Sequence, residues 1–197
     1  MEEETFHFGP DVTDEGVQFR LWAPSAERVE LLLVDVNPLV SASERGLRGG
    51  DAIPLNINHE GWAISELLPL GAGSRYSFRI DGNITVPDPA SRFQPEGVHG
   101  PSEVVDLRSI RELAGPASPG RAWEESILYE LHTGTFSAEG SFEGIRRRLD
   151  HLSELGVTGP ELMPIGAFPG ERNWGYDGVL PFAPSAAYGR PEELAGL

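Results

Sequence analysis

The hydrophobic pattern changes period partway along this chain, and no single repeating layer can satisfy both halves. From Gly16 the side chains alternate, with Val17, Phe19 and Leu21 on one side and Gln18, Arg20 and Trp22 on the other. That is the period of a half-buried strand. Further on, Phe142, Ile145, Leu149, Leu152 and Leu155 recur at helical spacing. Between the two lies Ala-Gly-Pro-Ala-Ser-Pro-Gly-Arg at residues 114–121, a sequence suited to a linker. Two domains of different class are expected, and 197 residues suffice for two small cores.

The first domain, residues 1–110, reads as an all-β, immunoglobulin-like sandwich. After a turn at Ala23-Pro24-Ser25-Ala26, a strand from Arg28 to Asp35 runs through Leu31, Leu32, Leu33 and Val34. Residues 37–51 read as a loop and Gly61-Trp62-Ala63-Ile64 as a short strand. Ser74 to Asp81 alternates again through Tyr76, Phe78 and Ile80, and Asp81-Gly82 ends it as a turn. Short strands at this spacing suit an antiparallel sandwich. Residues 87–101, rich in proline, are expected to form a stiff surface loop without regular structure.

Residues 111–125 are expected to link to a second domain, 126–197. Ile127 to Thr133 reads as a strand, Ser141 as the N-cap of a helix reaching Leu155, and Gly156 as its stop. Val157 to Ile165 reads as a second strand, and Arg190-Pro191-Glu192-Glu193-Leu194 as a helix start. The order is a βαβ unit. Its long loop follows the C-terminal end of the second strand, where α/β folds place binding residues. Gly159-Pro160 is a departure, because proline gives up a ladder donor. Glu130 and Glu161 are expected to pair within the scaffold. Arg146-Arg147-Arg148 reads as a solvated face, with Asp150 placed to pair with Arg146.

Charge and composition exclude several classes of function. Net charge is −16 and all fifteen basic residues are arginine, so nucleic acid and anionic membrane surfaces are not expected partners. A neutral substrate is compatible. The chain has no cysteine, which rules out disulfides and thiolate metal sites. His7, His59, His99 and His151 show no metal-ligand spacing, and neither metal nor cofactor is expected. The acidic Met1-Glu2-Glu3-Glu4 start lacks a signal-like apolar run, so a cytoplasmic location is expected. Oligomeric state is not fixed by the sequence.

The stretch Asn173-Trp174-Gly175-Tyr176-Asp177-Gly178 concentrates two aromatics, a carboxylate and two glycines. Flat aromatic faces stack on sugar rings, and a carboxylate can hold hydroxyls. Taken alone, it reads more readily as a turn over a small aromatic cluster.

Its context resembles the α-amylase superfamily of glycoside hydrolases. Tyr129-Glu130-Leu131-His132-Thr133-Gly134-Thr135-Phe136 is similar to the family's first barrel strand. Glu161-Leu162-Met163-Pro164-Ile165, Asn173–Gly178 and Phe182-Ala183-Pro184 are similar to the second strand and its loop. Phe8-Gly9-Pro10, Phe19-Arg20-Leu21-Trp22-Ala23-Pro24, Arg79-Ile80-Asp81-Gly82 and residues 87–101 resemble the malto-oligosyltrehalose trehalohydrolase family in particular. The resemblance implies that 126–197 begins a (β/α)8 TIM barrel, truncated here. It also implies hydrolysis of the α-1,4 bond next to the terminal trehalose of malto-oligosyltrehalose, a step of trehalose biosynthesis. The family's catalytic carboxylates lie on later strands, so none is expected in this chain, which should be inactive alone. Carried over residue by residue, Tyr176 would stack on the sugar before the scissile bond and Asp177 would bind hydroxyls. Trp174 would either touch substrate or support the loop, and His132 could reach the site or be buried and hydrogen-bonded. Glycogen branching or debranching relatives, or a non-catalytic glucan-binding fragment, are the alternatives.

Overall fold

The computed structural model describes residues 8–39, 46–116 and 120–197. The acidic start, His7, part of the 37–51 loop and three residues of the 114–121 linker lie outside the described residues. The chain divides into two compact units, Met1–Asp106 and Leu107–Leu197.

The first unit is built from short strands: β1 (Asp11–Val12), β2 (Val17–Gln18), β3 (Arg20–Trp22), β4 (Val29–Asp35), β5 (Ala52–Pro54), β6 (Asn56–Ile57), β7 (Trp62–Ile64), β8 (Arg75–Ile80), β9 (Ile84–Val86) and β10 (Ser102–Glu103). One antiparallel sheet has the order β10-β8-β4-β5, with β9 also on β8. A second has the order β3-β7-β6, and β1 pairs with β2. Alternation sends Val29, Leu31 and Leu33 of β4, and Tyr76 and Phe78 of β8, into one core with Leu21 and Ala63 of the second sheet. Val17 and Phe19 join them, so the period-two face read from the sequence is the core face. Each such large side chain contributes about 1.5–3 kcal/mol on burial. Phe19 edges Tyr76 with centroids 4.7 Å apart, an orientation that the ring quadrupoles favour.

Glu30 sits on the opposite face of β4, yet it is buried. Arg28 and Arg79 hold its carboxylate at 2.6 and 2.7 Å. The hydrogen bond from Arg79 is the main influence keeping its pKa below the usual value, against the opposing push of burial. A buried charge persists only when paired in this way.

Residues 87–101 do lack regular structure apart from turns, but they do not form a surface loop. Asp88, Ala90, Ser91, Phe93, Gln94 and Val98 are buried. Proline has no N–H, so a proline-rich segment brings fewer donors that must be satisfied once buried. Side chains supply much of the rest. Asp88 Oδ2 accepts from the Tyr76 hydroxyl at 2.7 Å, and Oδ1 accepts from the Ala90 N–H at 2.8 Å. The Asp88 N–H donates to Ser102 Oγ, and Ser91 Oγ donates to the Phe93 carbonyl.

The second unit opens with an exposed helix, α1 (Leu107–Ala114), and a 3-10 turn at Trp123–Glu125. There follow β11 (Leu128–Leu131), α2 (Thr133–Phe136), α3 (Phe142–Arg146), α4 (Leu149–Glu154), β12 (Gly159–Leu162), β13 (Gly166–Ala167), β14 (Leu180–Pro184) and α5 (Pro191–Ala195). β11 and β12 pair in parallel, with helices between them. Both strands are shorter than the sequence suggested. The first ends before His132, where the backbone turns into α2.

The expected single helix over 142–155 is two. Ser141 caps α3 by accepting from the Gly144 N–H at 3.1 Å. The Arg148 N–H then bonds the Ile145 carbonyl three residues back, which tightens the turn, and Arg148 leaves helical geometry at ψ 8°. The apolar stripe consequently divides. Ile145 and Leu152 pack with Leu131, Phe142 packs with Phe168 and Tyr188, and Leu155 is exposed. Arg146 does not pair with Asp150. Glu143, one turn earlier, takes it in a two-point contact of 2.6 and 2.9 Å.

Pro160 lies inside β12, opposite Tyr129. The N–H groups of Gly159 and Met163 point to β11, bonding Ile127 and Leu131 carbonyls. Alternation turns position 160 the other way, so the missing donor falls on the free edge of the pair and costs no bond. Glu130 and Glu161 are directly opposed in register and both exposed. Among the described residues neither carboxylate is in an ion pair, and both face solvent, so the expected pairing within the scaffold is not seen. With one neighbour strand each, these strands are not enclosed on both sides.

Candidate functional site

The candidate site lies in the second unit, where β11 gives way to His132 and the segment after β12 folds back. β13 pairs with β14 antiparallel, and the Val179 N–H bonds the Ala167 carbonyl. The 168–179 excursion is therefore tied at its base. Beneath it, buried Phe168 meets Tyr188 with centroids 5.5 Å apart, and Tyr188 meets Phe142 at 6.1 Å. Burial pushes the Tyr188 phenol pKa up.

His132 joins this base to the excursion. Its Nε2 lies 3.1 Å from the Asn173 carbonyl oxygen and 3.3 Å from the Tyr188 hydroxyl, and its ring meets Tyr188 edge-on at 5.9 Å. A carbonyl can only accept, so Nε2 carries a proton in this contact. His132 is thus both hydrogen-bonded and at the site, two outcomes the sequence left as alternatives. Asn173 Oδ1 accepts from the Gly175 N–H. Gly175 is in the left-handed region at φ 97°, and a Cβ there would stand 3.1 Å from Met163 Cε, so the turn favours glycine twice over.

The result is an open cleft of about 340 Å³ lined by His132, Thr135, Met163, Arg172, Asn173 and Trp174. Trp174 is 85% exposed and Tyr176 71% exposed. At that exposure Trp174 is not packed beneath the turn, and it is one of the residues lining the cleft. Tyr176 and Asp177 are exposed on the same turn but outside the cleft lining. The cleft offers an aromatic face, a thioether, an imidazole, a hydroxyl and a guanidinium, which suit a neutral polyhydroxy ligand. Tyr188 is the contributor that sequence reasoning missed. It stands 56 residues from His132, and no local pattern marks it. Among the described residues no cluster of three His, Asp or Glu could hold a metal ion, and no helix is long and apolar enough to cross a membrane.

Residues 7–91 match the family model of carbohydrate-binding module 48, the isoamylase N-terminal domain. A malto-oligosyltrehalose trehalohydrolase of Saccharolobus solfataricus is 40% identical over 190 residues, 96% of this chain and 31% of the relative. A crystal structure of a protein assigned as an alpha amylase from Salmonella typhimurium superposes with a TM-score of 0.79 at 37% identity, over 96% of this chain and 31% of that one. A 1,4-alpha-glucan branching enzyme of Pseudomonas fluorescens is 27% identical over 210 residues, 93% of this chain and 26% of that protein. The chain spans about a third of the length of the curated trehalohydrolase it matches. Over nearly its whole length the chain is thus similar to about a third of malto-oligosyltrehalose trehalohydrolases and to an α-amylase-type structure, and residues 7–91 match the carbohydrate-binding module 48 family.

Proposed function

We propose that this chain is part of an enzyme that hydrolyses the α-1,4-glucosidic bond next to the terminal trehalose of malto-oligosyltrehalose, releasing trehalose. In this reading residues 126–197 begin a (β/α)8 barrel, and the 172–178 turn is a sugar-binding element within it. The observation that carries the reading is the exposed pair Trp174 and Tyr176 on a turn anchored by His132, in a chain 40% identical to a trehalohydrolase.

Tyr176 stacks on the glucose before the scissile bond, Asp177 accepts from its hydroxyls, and Trp174 covers the cleft beside His132. Retaining glycosidases need a nucleophile and an acid about 5–5.5 Å apart across the bond. No carboxylate of residues 1–197 is assigned either role, so these residues bind and orient only. The branching-enzyme relative motivates a second reading, in which the same aromatic turn serves chain transfer.

The test uses a full-length family member carrying these residues. Malto-oligosyltrehalose should yield free trehalose, whereas altered glucan branching would favour the second reading. Tyr176→Ala should lower kcat/KM about tenfold or more, the loss of about 1.4 kcal/mol in transition-state stabilisation. Melting temperature should stay unchanged, because the ring is exposed. Full kcat with a much lower melting temperature would make Tyr176 a structural residue and end the assignment.

A further inference from the structure

Glycine follows aspartate twice in this chain, at Asp81-Gly82 and Asp177-Gly178, and the fold treats the two pairs differently. An aspartate carboxyl lies within reach of the amide nitrogen of the next residue, and attack there closes a five-membered ring. Glycine in the next position removes the Cβ that would crowd that nitrogen. Whether the ring closes then depends on how firmly the fold holds the carboxyl and the amide apart.

At Asp81 the carboxyl is held. Its Oδ1 accepts from the Glu27 and Arg28 N–H groups, both at 2.9 Å. The residue before it is fastened too, with Ile80 paired to Val29 on one side and Ile84 on the other. Asp177 has no such restraint. The chain is tied on either side of it, where the Gly175 N–H donates to Asn173 Oδ1 and the Val179 N–H to the Ala167 carbonyl. Between those ties Tyr176, Asp177 and Gly178 are exposed, and among the described residues none of the three makes a hydrogen bond or an ion pair. Exposed backbone without such bonds rearranges at little cost, so the Asp177 carboxyl and the Gly178 amide are free to meet.

We propose that Asp177 is a site of spontaneous covalent isomerisation to isoaspartate, and that Asp81 is protected from the same reaction. The Gly178 amide nitrogen attacks Asp177 Cγ. The N–Cγ bond forms, and the amide proton and the carboxyl hydroxyl leave together as water. Water then adds back to the cyclic imide at either of its two carbonyls. Opening at Cγ restores aspartate. Opening at the Asp177 main-chain carbonyl leaves the chain running through Cβ and Cγ, with the former main-chain carbon as a free carboxylate. Atoms and charge balance, and neither oxidant nor cofactor takes part. The product has one more backbone carbon between the two ties, so the turn bearing Trp174 and Tyr176 must change shape. The carboxylate also moves from the side chain to the main chain. On the sugar-binding reading proposed for this turn, on which the consequence for function rests, isomerisation disables the site.

The test is ageing of the 197-residue chain in warm, mildly acidic buffer, followed by tryptic digestion. The chain has no lysine and Arg190 precedes proline, so the two sites fall in separate peptides, residues 80–92 and 173–197. Isoaspartate is measured in each by electron-transfer fragmentation and by methyl transfer from a protein isoaspartate methyltransferase. It should build up in the second peptide about tenfold or more faster than in the first, because two hydrogen bonds must break before the Asp81 carboxyl can react. In urea, where neither site is held, the two rates should converge. Gly178→Ala should suppress the reaction at Asp177 and keep the native circular dichroism spectrum, since a Cβ there would lie 3.4 Å from the Gly166 carbonyl oxygen, an ordinary contact. Equal rates in the folded chain would overturn the proposal, as would a difference that persists in urea and so owes nothing to the fold. In an aged full-length family member, trehalose release should fall in step with isoaspartate and recover on repair by the methyltransferase. Isoaspartate at 177 with release unchanged would remove Asp177 from the sugar site and leave the modification standing. A fresh full-length enzyme that releases no trehalose would overturn the proposed function alone.

Discussion

Tyr76→Phe removes one oxygen from the centre of the first unit, and the structure sets how much that should cost. The hydroxyl donates to Asp88 Oδ2 at 2.7 Å, and both residues are buried. Burial is the main influence raising the Asp88 pKa, and the Tyr76 bond works against it. In the variant, Oδ2 loses its donor in a place water does not reach, while Oδ1 keeps the Ala90 N–H. Hydrogen bonds to charged groups contribute about 1.5–3 kcal/mol and neutral ones about 1 kcal/mol, so the loss at pH 7.5 should be about 2–3 kcal/mol. Because the folded pKa of Asp88 lies above its unfolded value, its ionisation weakens the fold. The contribution is most favourable below the unfolded pKa, and stability is lost as pH rises through the folded pKa. Removing the Tyr76 donor raises that folded pKa further. The deficit of the variant should therefore shrink to about 1 kcal/mol in acid, where Asp88 is neutral in both proteins.

Urea unfolding followed by tryptophan emission is a suitable assay. Buried Trp62 reports the first unit, whereas Trp123 and Trp174 are exposed already and change little. With a slope of about 2 kcal/mol/M, the midpoint should fall by about 1 M at pH 7.5. A deficit below about 0.5 kcal/mol, under the value of even a neutral bond, would refute the reasoning. So would a deficit that grows towards acid.

Phe142→Ala should cost the second unit about 3–5 kcal/mol, since the ring is buried with Phe168 and Tyr188. Hydrogen exchange should show lost protection there and retained protection in β4 and β8; intact protection throughout would contradict the cluster. Pro160→Val should change thermal stability by no more than about 0.5 kcal/mol, because position 160 faces the free edge, and a large stabilisation would mean that its N–H finds a partner. Arg146 first, then Arg147, hold the Glu143 carboxyl down to about 2. The support from this group is thus fully present above its unfolded pKa and is lost only as pH falls towards 2. An NMR titration should find that midpoint, and should find an ordinary carboxylate value in the Arg146→Ala, Arg147→Ala double variant.

The parts of this structure legible in the sequence are those where one local rule suffices. Val17, Phe19, Leu21, Tyr76 and Phe78 alternate, and the core takes them. Ser141 looks like a helix cap and acts as one. Legibility fails where a distant partner decides. The 87–101 segment reads as surface because its prolines forbid regular structure, but burial there depends on the Tyr76 hydroxyl and Ser102, which the local pattern does not reveal. Pro160 reads as a flaw until its direction relative to β11 is known. Leu155 continues a helical stripe that the turn at Arg148 ends. In the candidate site, the aromatic character of Trp174 and Tyr176 was plain, whereas the support from His132 and Tyr188 arises only when distant segments meet.

Asp81 has a consequence for the order in which the first unit assembles. It takes φ 50° and Gly82 takes φ 78°, so the three-residue connection between β8 and β9 is bent by its own residues before any long-range contact exists. Hairpins of this kind close in about 1–10 μs. The Asp81 carboxylate also accepts from the Glu27 and Arg28 N–H groups, both at 2.9 Å. It thereby captures the start of β4 at the end of β8 from which pairing can zip, one residue after another, through Val29–Ile80 to Leu33–Tyr76. The loop-closure entropy of joining segments that far apart is met once, at Asp81, and each later pair adds at little further entropic cost. One aspartate thus ties the β8–β9 turn to the start of β4, and Asp81→Ala is expected to slow folding more than it speeds unfolding in stopped-flow measurements.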